Sequence, residues 1–242
     1  MKASQEKQGA PFAVRDCTLI TLATGVRAQN LKEFCDNLQR VPVGSVYHHF
    51  WGRLLRPQFD EPEYNNDFAS WAHRGLHDPL LAERLSMILP TDFDDLDGLR
   101  QEVVEVVEQR LDESEMVPWA KNDQQFHFLH SQMVLFDTGL RVTRPEELAG
   151  AIPTLSTGSI YYHFIEARRR TSGSQNDFSV WLEGFGGEFA GLQERLCNVD
   201  PYFSSLKELR QILGGHDVWG PPALSDGKLV IRDFGRMVCL KV

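Results

Sequence analysis

Residues 44–51 read GSVYHHFW and residues 158–165 read GSIYYHFI, so one aromatic-rich stretch occurs twice with a single change of polar identity, His48 against Tyr162. Residues 12–50 align with 126–164 without a gap. Phe12 meets Phe126, TGVR at 24–27 meets TGLR at 138–141, and Glu33 meets Glu147. Past a loop of different length, NDFASW (66–71) meets NDFSVW (176–181) and ERL at 83–85 meets ERL at 194–196. Phe93, Leu96, Leu99 and Arg100 then match Phe203, Leu206, Leu209 and Arg210 in the same order. An ordered series of this kind is the signature of an internal repeat. The expected organisation is a flexible N-terminus over 1–11, repeat units over 12–109 and 126–216, a polar connector over 110–125, and a C-terminal β-hairpin over 217–242.

Within each unit the periodicity favours helices. Val46, Phe50 and Leu54 fall at i, i+4 and i+8, as do Ile160 and Phe164 in the second copy. NLKEFCDNL and RPEELAGAI carry helical spacing, with Pro145 suited to a first helical position. The Asn-Asp of each NDF supplies the residue types that cap a helix start. TLITLATGVRA and MVLFDTGLRV are apolar or β-branched runs broken at Thr-Gly, which predicts a short strand followed by a turn. The expected fold class is therefore mainly α with minor α+β character: two tandem pseudo-symmetric helical repeats plus the terminal hairpin.

The two copies of Tyr-x-His-Phe followed by Asn-Asp-Phe-x-x-Trp resemble a bacterial family classed as a domain of unknown function, over most of residues 12–213. The resemblance implies no activity, cofactor or catalytic residue. It does single out a recurrent polar set: Tyr47, His49, Asn66 and Asp67 with Tyr161, His163, Asn176 and Asp177.

Composition narrows the function classes. A chain of 242 residues, 42% hydrophobic and 24% charged, is an ordinary globular sequence with enough apolar material for one or two cores. A net charge of −9 argues against nonspecific nucleic-acid or anionic-membrane binding, which needs clustered Lys and Arg. No apolar run approaches a membrane span or a signal peptide, so a cytoplasmic location is expected. The four cysteines are widely spaced and signal neither a zinc site nor a disulfide framework.

Histidine with a carboxylate can act as an acid/base pair, and each half offers one, His49 with Asp67 and His163 with Asp177. The simpler account is a polar joint, with the histidine satisfied by a carbonyl or the carboxylate and Asn-Asp capping the next helix. His49 leans toward the apolar stripe, whereas His48 lies off it and reads as free to vary. His73 and His77 stand four apart but lack the other ligands of a metal motif, so no metal and no cofactor is expected. Arg168, Arg169 and Arg170 form the one dense basic run, a candidate anion site or a solvated helix end. The DFG at 233–235 lacks every other kinase element. These residues favour a binding or regulatory module for a partner protein or a small anionic metabolite, with homo-oligomerisation open. The alternative is a hydrolase- or lyase-like enzyme using the His/Asp pairs where the two repeats meet.

Overall fold

The run FAVRDCTLITLATGVRA does not stop at its Thr-Gly. In the computed structural model, which describes residues 10–55, 63–171, 173–199, 206–213, 223–225, 228–232 and 237–241, it forms one 17-residue strand, β1 (Phe12–Ala28). Its counterpart forms a second 17-residue strand, β2 (Phe126–Val142), and the two pair in a two-stranded antiparallel sheet. The expectation of a mainly helical fold with short strand-turns is thereby overturned: the class is α+β.

The physical reason lies in the glycines. Gly25 and Gly139 take φ of +76° and +74°, a region costly for residues with a Cβ, yet the strand continues through both. The Thr24 hydroxyl accepts from the Val26 amide at 3.1 Å and donates to the Phe128 carbonyl at 2.6 Å. The Thr138 hydroxyl likewise accepts from Leu140 and donates to the Val14 carbonyl at 2.7 Å. Thr-Gly therefore makes a kink inside a strand rather than its end, in the manner of a bulge.

The chain divides into two compact units that cut across the sequence halves. A central unit holds residues 17–135 with 168–170, and a terminal unit holds 1–16, 136–167 and 171–242. Each long strand is thus shared, its first part in one unit and its remainder in the other.

In the central unit, helices α1 (Leu31–Leu38), α2 (Val43–Trp51), α3 (Asp67–Arg74), α4 (Pro79–Ser86) and α5 (Leu96–Glu113) follow β1. Asn30, Asn66, Asp78 and Asp95 each accept a backbone N–H of the first turn and so fix where α1, α3, α4 and α5 begin. Phe34 is the hub of the core, with ring centroids of Phe68, Trp71, Phe126 and Phe128 between 5.1 and 5.5 Å away. The connector is tied to this unit, because the Leu31 amide donates to the Pro118 carbonyl and the Ala120 amide to the Gln29 carbonyl.

The terminal unit carries α6 (Pro145–Ala151), α7 (Thr157–Ile160), α9 (Asp177–Glu183), α10 (Ala190–Cys197) and α11 (Leu206–Leu213). A π-helical stretch, Tyr161–Glu166, follows α7 and leads into α8 (Ala167–Arg170). Among its described residues, Phe12 packs 5.2 Å from Phe178 and 5.5 Å from Trp181. The C-terminal segment is a three-stranded antiparallel sheet, β3 (Ala223–Ser225), β4 (Lys228–Arg232) and β5 (Met237–Lys241), one strand more than the expected hairpin. Residues 1–9 of the expected N-terminal segment, and the turn at 233–236, lie outside the described residues.

Candidate functional site: two buried histidine joints

Each recurrent histidine is fixed by three elements. His49 sits on α2, a helix with every residue from Ser45 to Trp51 buried. Asn66 caps α3 by accepting the Ala69 amide at 2.8 Å, which places Asp67 at the first helical position. There the Asp67 carboxylate lies 3.0 Å from His49 Nδ1. The third partner comes from β2, where the Leu129 amide donates to His49 Nε2 at 3.1 Å.

The terminal unit repeats the arrangement with its own residues. Asn176 accepts the Ser179 amide at 2.9 Å and caps α9, His163 Nδ1 stands 2.7 Å from Asp177, and the Arg15 amide of β1 donates to His163 Nε2 at 2.8 Å. Both imidazole side chains are 3% exposed, so the rings are shielded from bulk water, whereas the Asp67 and Asp177 side chains keep 33% and 18% exposure. The indoles follow suit: Trp71 Nε1 donates to the Gln124 carbonyl and Trp181 Nε1 to the Ala10 carbonyl, each at 2.8 Å.

The protonation state follows from the donors. A backbone N–H can only donate, so Nε2 of each ring must be an unprotonated acceptor, and the single proton of the neutral ring rests on Nδ1 and is given to the carboxylate. Neither nitrogen then retains a lone pair for a substrate proton or a metal ion. His48, His49 and Asp67 do bring ligand atoms within 4.8 Å of one another. A cation there would have to displace the Leu129 or the Asp67 bond, and the Arg53 guanidinium, whose charge Asp67 helps to hold against burial, already supplies positive charge nearby.

The remaining sequence candidates take other roles. Tyr47 is buried, its ring stacked on Trp51 at 5.1 Å, and the Arg169 guanidinium lies over both rings at 4.9 and 5.5 Å. Arg169 thus joins a cation–π stack; Arg168 is half-buried and Arg170 exposed. Tyr161 is wholly buried. His73 and His77 do not share a helix face, because α3 ends at Arg74 and His77 has a φ of +54°.

His48 corrects the reading of an off-stripe, freely varying neighbour. It is 1% exposed, and its Nδ1 lies 2.6 Å from the Ser131 hydroxyl. The aligned pair in the other half is Tyr162 and Cys17, so both positions change together. Sequence reasoning also missed Leu129 and Arg15, since they act through backbone amides; their equal spacing from Phe126 and Phe12 was the available signal.

These features define an α+β protein of two compact units, each with a buried Asp–His–amide joint. The chain belongs to DUF5752, a family of unknown function, which it matches over residues 9–215. It is similar to a solved structure described as the structure of OrfY from Thermoproteus tenax, with 26% identity and a TM-score of 0.73, over 86% of this chain and 94% of that one. No curated protein matches it. No described helix is long and apolar enough to cross a membrane.

Proposed function

We propose that the protein is a cytosolic, non-catalytic binding module, its chain duplicated internally, that takes a small anionic metabolite. The observation that carries this reading is the state of the two histidines. Both nitrogens of each ring are committed to the fold, so the recurrent histidine–carboxylate pairs hold helices to a strand rather than face a substrate. A protein partner is the second reading, favoured by Met116 and Trp119, which are 83% and 62% exposed in the connector.

The test is to incubate the purified protein with a metabolite extract and follow both composition and retention by mass spectrometry. A retained compound with no change in the extract is the expected result. Consumption of a component by the wild type, lost in His49→Gln, would overturn the non-catalytic reading in favour of the acid/base one.

A further inference from the structure

A concave site lies in the central unit beside the kink of β1, and neither Asp67 nor Leu129, which bond His49, is among its lining residues. It encloses about 410 Å³, within the range of small-ligand sites. Its wall is apolar, from Leu22, Val26, Val41 and Pro42, and its polar edge comes from Asn37, Arg40 and His130. No residue lining it is acidic, in a chain of net charge −9.

Arg40 and His130 both have hydrogen-bonding capacity to spare. The Arg40 side chain is exposed at the end of α1 and makes no hydrogen bond or ion pair among the described residues; only its backbone amide is used, toward Asn37. His130 is seated by Gly44: a Cβ at that position would come within 2.3 Å of the ring's Nδ1 and Cε1, so only glycine admits the imidazole there. That contact buries Nδ1 without a partner. An orphaned buried N–H costs more than an orphaned acceptor, so the favoured tautomer keeps Nδ1 bare and puts the proton on Nε2 as a donor.

The aligned positions of the terminal unit show what the site would be without this equipment. Arg40, Asn37 and His130 correspond to Thr154, Ala151 and Asp16, and Leu22 and Ala23 correspond to Phe136 and Asp137. The framework is kept between the halves, in the Thr-Gly kink, the Asn cap, the histidine joint and the bonded tryptophan. The lining is not kept. One copy has a guanidinium and an imidazole, whereas the other has carboxylates and a bulkier ring.

The geometry points to a binding site, in the central unit only, for a small organic anion: a phosphate or carboxylate held by Arg40 and His130, with an apolar body against Val26, Val41 and Pro42. This rests on the reading of the protein as a binding module and names the ligand class for it. A single site per chain is expected, since the terminal unit carries Asp16 and Asp137 at the aligned positions.

Phenyl phosphate is a suitable probe, with phenol as its uncharged counterpart, titrated into the ¹⁵N-labelled full chain and followed by amide shifts. Saturable shifts at residues 22–26, 37–44 and 130 are expected, with one equivalent bound and much weaker shifts from phenol. Arg40→Gln should weaken phenyl phosphate by about tenfold or more, and His130→Gln by about threefold or more, as loss of a charged and of a neutral hydrogen bond predicts. Arg40 is exposed, so its variant should melt with the wild type and the loss reads as binding.

Undiminished affinity in Arg40→Gln, equal binding of phenol, a second equivalent at residues 136–156, or no saturable shift at millimolar probe would each overturn the assignment. If the probe fails while an extract compound is still retained, the binding reading stands and this site falls. If extract components are consumed, the non-catalytic reading falls whatever occupies the groove.

Discussion

The two histidine joints share their bonds and differ in their surroundings. His49 lies among the rings of Phe68, Phe126 and Phe128, at centroid distances of 5.1, 4.7 and 6.3 Å, on a regular α-helix. His163 touches Phe12 at 4.8 Å and Phe178 at 5.7 Å, and its helix is locally π-wound. Phe128 is replaced by Val14 in the second setting, and Phe34 by Leu148. What persists is the bond pattern that closes a backbone account: a strand amide facing a helix finds an imidazole, and the imidazole finds a carboxylate. What varies is the apolar filling, which many side chains can supply at similar volume.

The largest expected effects test whether that equivalence is energetic. His49→Ala strips the Leu129 amide of its partner and opens a cavity among three rings, so it should cost about 3–5 kcal/mol in chemical denaturation. His163→Ala, with fewer ring contacts, should cost about 2–4 kcal/mol by the same reasoning. A reversed order would mean that the aromatic packing adds nothing to the joint.

The two caps differ in what their side-chain amides donate to. Asn66 both caps α3 and donates through Nδ2 to the carbonyl of Leu85 and to Asn65, each at 2.9 Å, whereas Nδ2 of Asn176 is buried with no partner. Asn176→Asp should therefore be tolerated, and Asn176→Ala should lose about 1 kcal/mol, the worth of one cap. Asn66→Ala should lose about 2–3 kcal/mol, cap and side-chain donors together. Equal losses, measured by urea titration, would place the Nδ2 bonds of Asn66 outside the stability balance.

Gly25→Ala and Gly139→Ala should each cost about 1–2 kcal/mol, equally, because a Cβ would meet nothing within 4 Å at either kink and only the left-handed backbone is penalised. Unequal costs would show that one strand relaxes around its kink.

Smallest is a pH effect at one kink alone. Bidentate donation from Arg141 and the Gly139 amide hold the Asp137 carboxyl down to about 2 from an ordinary 3.8; the aligned residue is Ala23. A carboxyl with a depressed folded value contributes stability above its unfolded value and loses it as pH falls through the folded one. Asp137→Asn should thus change the melting curve slightly near neutrality and not at all below about pH 2. The group is exposed, so the change should sit close to the error of the melt. A loss that persists below that pH would point to packing instead.

How far the sequence could be read depended on whether a residue works through its side chain. The Asn-Asp starts of α3 and α9 were legible because capping selects those side chains. The aromatic stripe of α2 was legible as helix, yet a stripe implies an exposed back, and α2 has none: with every residue from Ser45 to Trp51 buried, periodicity had no polar face to report. The strands were misjudged at Thr-Gly, since glycine ends a strand in most contexts and only the bonds of Thr24 and Thr138 carry these past it. The exchange of strand halves between the units left no local mark, because the partners of His49 and His163 are main-chain amides that any residue can supply.

Both histidines are neutral, protonated on Nδ1, and bonded through Nε2 to a strand amide. The direct measurement is long-range ¹H–¹⁵N correlation of the imidazoles together with scalar coupling across the hydrogen bond in the ¹⁵N-labelled protein. The Nδ1–H tautomer is expected at both rings, with coupling from the Leu129 amide nitrogen to Nε2 of His49 and from that of Arg15 to Nε2 of His163. A proton on Nε2 of either ring, with no such coupling, would contradict it and return that histidine to the candidates for chemistry.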